Sequence, residues 1–352
     1  MITMRNCVQA AAMLLAGLGS TTTAEFSLSG TTRDLADGTV LQLSDSQNNN
    51  VLGNAVVRRG KFQFEFDLPS SPLYAILHTK DWSNYRHVWL ESGPMFFSGA
   101  NSDFKDSVIS GSATENLNQS LTKKTKGVPR NEKHKLEAQF IEDNPDSVVS
   151  AHILSVYATS WGKDRTNSLF EKFSQANQAS FFGRQIAKFI ELNNQPAVGD
   201  AFIDFELPDA TGREVKLSSV SGKIILLKFW ASNCAPCMRE LPELKEIYAD
   251  YRGDDFEVYA VSLDTDSDNW LRAVEKYQLN WINVSDLQGD ASLAGLIYGV
   301  AGIPDSFLIN RDGLVVARGL RGKKLREKLS ELTSQDSIEV QNTPILPMRE
   351  PK

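Results

Sequence analysis

The sequence predicts three parts: a small all-β, sandwich-like domain, a helical connector, and a C-terminal α/β domain on a mixed sheet with helices on both faces. Three observations predict this. Residues 26 to about 111 carry short runs of alternating polarity broken by Gly, Pro and Asn, the period of half-buried strands. From Ala113 to about Asn194 apolar residues recur at helical spacing. Beyond Pro196, strand-length apolar runs alternate with helical ones and finish in a hairpin, the order of a mixed sheet. The chain of 352 residues is long enough for two or three separate cores.

Composition excludes little. The net charge of −7, with Lys and Arg scattered, leaves no basic footprint for nucleic acid. Aromatic residues at 9% and charged residues at 23% are ordinary for a soluble globular chain. The first 24 residues differ: Arg5 precedes an uncharged run, Cys7 to Leu18, and Thr22-Thr23-Ala24 offers a small-residue cleavage site. We expect a signal peptide at 1–24, the apolar run being short for a membrane span. An uncleaved anchor is the alternative. Export to the periplasm or cell envelope would place the mature chain where a lone pair of cysteines oxidises unless something reduces it.

In the β-domain, 25–112, Phe26 and Leu28 alternate ahead of Gly30, and Leu41 and Leu43 share one face of a short strand. Asp45 to Asn50 reads as a polar loop. Phe62, Phe64 and Phe66 alternate with Lys61, Gln63 and Glu65. Strands at Leu73 to Leu77, Val88 to Leu90 and Pro94 to Phe97 continue the series. This reads as core packing more readily than as a ligand platform. His78 and His87 flank Trp82 and Tyr85, a group we expect on the surface. The domain reads as a scaffold or binding module.

The connector, 113–195, has helices expected at Asn131 to Glu142, after the start signal Asn144-Pro145-Asp146-Ser147, near Asn167 to Phe173, and from Phe181 to Leu192. Its charges read as solvated faces. In the last domain, 196–334, Phe205 to Leu207 and Val215 to Leu217 form a hairpin about an Asp/Gly turn. Ile224 to Trp230 and Phe256 to Leu263 are apolar strands. Helices follow at Asp268 to Tyr277 and Ala291 to Tyr298, then Ser306 to Ile309, a turn at Asn310 to Gly313, Leu314 to Ala317, and a closing helix Lys323 to Leu332. The proline-rich tail, 335–352, is expected to be disordered.

The chemistry lies where the first of those strands ends. Ile224 to Trp230 stops at Cys234-Ala235-Pro236-Cys237, and a helical pattern begins at once with Met238, Leu241, Leu244 and Ile247. A strand thus delivers two cysteines to the first turn of a helix. Unpaired N–H groups and the helix dipole there stabilise a thiolate, lowering its pKa from the free value of about 8.5. The pair suggests thiol–disulfide exchange with no cofactor beyond a redox-active Cys234–Cys237 disulfide. Half a zinc site or a purely structural disulfide would share the spacing. A zinc site needs two more ligands, and the remaining cysteine, Cys7, and the four histidines all lie far upstream. A bridge closing so short a loop removes little unfolded-state entropy.

Val198 to Leu332 resembles the exported thioredoxin-like thiol–disulfide oxidoreductases of the TlpA/ResA type. The resemblance rests on F-W-A-S-x-C-x-P-C, on Glu240 and Pro242 in the helix, and on G-I-P-x-S-F-L-I-N-x-D-G downstream. It implies a thioredoxin-like α/β fold, Cys234 as exposed nucleophile and Cys237 as resolving thiol. It also implies a cis Pro304 facing the disulfide and Glu240 beside the thiols as pKa tuner or proton relay; a solvated helix residue is the other reading of Glu240. Trp230, Asn233, Pro236, Gly302 and Ile303 are then the residues expected to meet substrate. Upstream, L-E-S-G-P-M-F-F-S-G and I-S-G-S-A-T-E-N-L-N are similar to the domain that precedes such thioredoxins in Bacteroidetes-like proteins.

Three departures stand out. Asn233 replaces the usual aromatic beside the nucleophile. Asp305 follows the proline where Thr is common, adding negative charge near the groove. Lys228, six residues before Cys234, occupies a position where thioredoxins often bury an acid. A buried ammonium there favours a Cys237 thiolate or loses its own proton; a snorkelling lysine would do neither. The function expected is a reductive thiol–disulfide exchange on exported proteins such as apocytochromes c, with a membrane thiol reductase as electron donor. A peroxiredoxin-type peroxidase needs Thr or Ser three residues before the cysteine, where Ala231 stands. A non-enzymatic adaptor using the β-domain is the other rival.

Overall fold

The structure, a computed structural model, describes residues 25–342 apart from residue 254. The expected signal peptide at 1–24 and the tail at 343–352 lie outside the described residues. The chain divides into two compact units between Val128 and Pro129. Among the described residues no helix is long and apolar enough to cross a membrane.

The first unit holds β1 (Phe26–Thr32), β2 (Val40–Asp45), β3 (Val51–Val56), β4 (Lys61–Phe66), β5 (Leu73–Thr79), β6 (Tyr85–Leu90), β7 (Gly93–Gly99), β8 (Val108–Ser110) and α1 (Ala113–Thr125). Two four-stranded sheets form, β4-β1-β7-β8 and β3-β2-β5-β6. Alternation builds their shared core: Phe62 and Phe64 turn inward while Lys61, Gln63 and Glu65 face solvent. They meet Phe26, Leu28, Leu41, Leu43, Leu77 and Leu90. Strand β3 occupies residues just past the expected polar loop, where Gly53 and Asn54 weaken the strand signal. The glycine is required: a Cβ on Gly53 would stand 2.9 Å from the Phe66 ring.

His78 corrects the expectation of a surface histidine. It is buried, contacting Ser44 Oγ through Nε2 and the Thr79 carbonyl through Nδ1, each at 2.9 Å. Trp82 from the β5–β6 turn stacks over it at 3.7 Å. Sheet alternation alone would leave this face open, and the turn covers it. His87 is exposed, as expected.

Helix α1 belongs to this unit and not to a free connector. Ser112 caps it by accepting the Glu115 N–H at 2.8 Å. The buried Glu115 carboxylate accepts from Arg86 at 3.2 Å and from the Trp89 N–H at 3.1 Å, which fixes α1 to β6. Burial pushes the Glu115 pKa up, opposed by these bonds.

The second unit opens with α2 (Arg130–Asp143), α3 (Val148–Trp161), α4 (Lys163–Phe170), α5 (Gln175–Gln178) and α6 (Phe181–Leu192). Ser147, Ser174 and Ser180 cap α3, α5 and α6. Gly162, at φ 83°, ends α3 and lets α4 begin at Lys163, earlier than expected. The rest is β9 (Glu206–Pro208), β10 (Glu214–Lys216), β11 (Ile224–Trp230), α7 (Ala235–Tyr251), β12 (Phe256–Ser262), α8 (Ser267–Tyr277), β13 (Ile282–Val284), α9 (Leu293–Tyr298), β14 (Asp305–Ile309), β15 (Val315–Arg318) and α10 (Gly322–Asn342). Helix α10 corrects the expected tail: the backbone stays helical to Asn342 instead of ending at Leu332.

The central sheet runs β13-β12-β11-β14-β15. Strands β11, β12 and β13 are parallel, β14 runs against β11, and β15 turns back antiparallel to β14. Strand β11 is buried throughout. Its side chains alternate between two cores: Ile224, Leu226 and Trp230 enter the one shared with α7, α8 and α10. Ile225, Leu227 and Phe229 enter the one shared with α9 and the β9–β10 hairpin. The same alternation turns Lys228 toward α7. This is the expected thioredoxin-like α/β arrangement.

Candidate active site

Strand β11 leaves the sheet at Trp230, and the turn 231–233 is held from below. The buried Asp264, just past β12, accepts the Ser232 N–H at 2.9 Å, Ser232 Oγ at 2.5 Å and Ser262 Oγ at 2.6 Å. Cys234 then caps α7, with Pro236 in the first turn where its missing N–H costs nothing. Cys234 Sγ accepts the Cys237 N–H at 3.1 Å, so a donor of the first turn points at the sulfur that would carry charge. The two sulfurs are bonded to each other at 2.06 Å. Their surroundings differ: Cys234 keeps 8% of its surface and Cys237 none. Of the two residues only Cys234 keeps any exposure.

Ile303–Pro304 is cis, as expected. Ile303 is half-buried and packs against the core that contains both cysteines, while Gly302 is exposed. Asn233 and Pro236 are exposed beside Cys234. Trp230 is a correction: it is 2% exposed and lies in the core with the cysteines, so it supports the site from within and offers no face to substrate. The alternation that buries Leu226 buries it too.

Lys228 does not snorkel. It is 5% exposed and places Nζ 2.8 Å from Glu240 Oε2. Burial lowers its pKa, partly offset by the Glu240 hydrogen bond. The other Glu240 oxygen, Oε1, meets Arg321 Nη1 at 2.9 Å, and Arg321 Nη2 donates to the Pro304 carbonyl at 2.8 Å. Lys228, Glu240 and Arg321 thus tie β11, α7 and the start of α10 to the cis-proline segment. The charge expected from Asp305 is neutralised by Arg318, 2.7 Å away. Sequence reasoning missed Arg321 and Asp264. Arg321 carries no pattern that marks it, and Asp264 is one of three acids in D-T-D-S-D, any of which could have turned inward.

The geometry can be set beside known proteins. Residues 198–318 match the AhpC/TSA family, and residues 26–118, reaching into α1, match a domain of unknown function, DUF4369. Thiol-disulfide oxidoreductase ResA of Geobacillus thermodenitrificans is 36% identical over 129 residues, covering 37% of this chain and 72% of that protein. ResA of Bacillus thuringiensis subsp. konkukian is 31% identical over 134 residues, covering 38% and 75%. A solved thiol-disulfide oxidoreductase from Bacteroides fragilis is 32% identical at a TM-score of 0.36, covering 38% of this chain and 99% of that one. By its likeness to relatives that it matches across more than two thirds of their length, the chain belongs to the ResA-type thiol-disulfide oxidoreductases, an oxidoreductase family.

Proposed function

We propose that this oxidoreductase reduces disulfides of exported polypeptides through Cys234 and Cys237. The observation that carries the reading is the asymmetry of the pair, Cys234 keeping some exposure at a helix N-terminus and Cys237 fully enclosed. In the cycle we infer, reduced Cys234 attacks as the thiolate. It bonds to one substrate sulfur and expels the other as a thiolate. The Cys237 thiolate then attacks Cys234 Sγ, forming the Cys234–Cys237 disulfide and releasing the second substrate thiolate. Two electrons pass to the substrate, whose thiolates take protons from solvent. A dithiol donor restores the reduced pair, and a membrane thiol reductase would supply it. Apocytochromes c are the substrate class that fits an exported member of this family.

The cis Pro304 with Gly302 and Ile303 forms one wall for substrate backbone, and Asn233 and Pro236 form the other. Glu240, three residues past Cys237 on α7 and held by Lys228 and Arg321, is proposed to tune the resolving thiol through its charge. Lys228 supplies positive potential favouring its thiolate.

The test uses the full chain. Cys237→Ala should accumulate a mixed disulfide with a disulfide-bearing polypeptide, and Cys234→Ala should form none. Failure of Cys237→Ala to trap any substrate sinks exchange at this site. A reduction potential at or below that of thioredoxin, about −270 mV, is expected for a reductase. A value near that of glutathione or above would reassign the protein to oxidation or isomerisation.

A further inference from the structure

A second open feature lies in the same unit, against the segment that leads into cis-Pro304. Helices α3 and α6 pack on α9 through Ala158, Phe189 and Leu296, and Asn193 Nδ2 donates to the Leu296 carbonyl at 2.8 Å. Helix α9 ends at Gly299, and the chain continues through Val300 to Ile303 into cis-Pro304. Between α3 and this run lies a cleft of about 300 Å³ with Gly302 and Ile303 in its wall. That volume is at the lower end of the range for ligand sites, about 300–1,000 Å³. The two residues proposed to meet substrate backbone therefore also border the cleft.

The lining has a definite chemistry. Val156 is 61% exposed in the middle of α3, and the half-buried Leu263 and Ile303 line the same cleft. An exposed aliphatic side chain facing a cleft is an unspent apolar contact. Arg130 and Lys188 also line it, against one acid, Asp290. Lys188 Nζ reaches the Ala291 carbonyl at 3.4 Å, which holds the ammonium at the wall.

We propose that this cleft seats the extended polypeptide flanking the substrate cysteine, taking an apolar side chain against Val156 and an acidic one near Lys188. The inference rests on the exchange reading above and adds its substrate class: a disulfide within an acidic, partly apolar peptide segment, recognised by helices outside the thioredoxin-like fold. Continuity of the cleft with the cis-proline wall gives the segment its path, and the surplus of positive charge gives the preference.

The test compares two substrates of the reduced full chain. One is a synthetic peptide disulfide with a leucine and a glutamate beside the cysteine; the other is bis(2-hydroxyethyl) disulfide, too small to reach the cleft. Val156→Glu places a charge where the leucine would pack, and Lys188→Glu places like charge where the glutamate would sit. The rate with peptide relative to the small disulfide should fall about tenfold. A peptide carrying lysine in place of glutamate should recover the ratio in Lys188→Glu. An unchanged ratio, or an equal fall with both substrates, overturns the cleft as a peptide seat. Should wild type reduce neither substrate, the exchange reading itself falls, an outcome distinct from either.

Discussion

Burial changes what Lys228 can do. On an exposed strand it would be a solvated cation; beneath α7 its ammonium depends on Glu240, 2.8 Å away. Desolvation of two charges offsets much of their attraction, so removing one partner is costly while removing both need not be. Lys228→Met should destabilise the second unit by about 3 kcal/mol. Lys228→Met with Glu240→Leu should return to within about 1 kcal/mol of wild type, since Arg321 is half exposed and can turn to water. Urea denaturation decides it: a double variant no more stable than the worse single refutes the coupling. The pH dependence has a definite sign. The unfolded chain holds the Lys228 proton at the ordinary 10.5 and the folded chain holds it less tightly. Wild type therefore gains stability as pH climbs from the lowered value toward 10.5, and Lys228→Met should lack that rise.

At the scale of elements, the turn between β11 and α7 is rigid because Asp264 accepts three bonds from Ser232 and Ser262. Asp264→Ala leaves the donors of half-buried Ser232 and buried Ser262 short of a partner. It should cost about 2 kcal/mol and lower kcat/KM for disulfide reduction several-fold by loosening the approach to Cys234. Ser232→Ala keeps the backbone bond and should do less. Wild-type kinetics in Asp264→Ala would remove the positioning role. Elements with a strong period were legible beforehand: β4 from its phenylalanines, β11 from its apolar run, α7 from the spacing after Cys237. Elements whose identity depends on a partner were not. Strand β3 carries a glycine because the Phe66 ring lies over it, and the three-residue β13 exists through its pairing with β12.

Across the whole molecule, the β-sandwich keeps a core of its own, and the cysteines sit in another. Phe64→Ala should therefore take about 3–5 kcal/mol from the first unit and leave the rate of disulfide reduction as in wild type. Thermal unfolding followed alongside the reduction assay checks this; a matching loss of activity would contradict it. The dividing line at Val128 was not legible, because α1 looks like any other amphipathic helix until Glu115 is seen buried against Arg86 and Trp89.

What the amino-acid sequence determined by itself was whatever depends on neighbours along the chain: strand and helix periods, the cysteine pair at a strand-to-helix junction, and the Ile-Pro that follows in order. Those are local patterns, and their chemistry comes with their spacing. Tertiary structure alone decided that Lys228 is buried on Glu240, that Arg321 reaches Pro304, and that α3 borders the segment ahead of the cis-proline. Each of these depends on residues brought together from distant parts of the chain, where burial sets the energy of a charge and no local pattern records it.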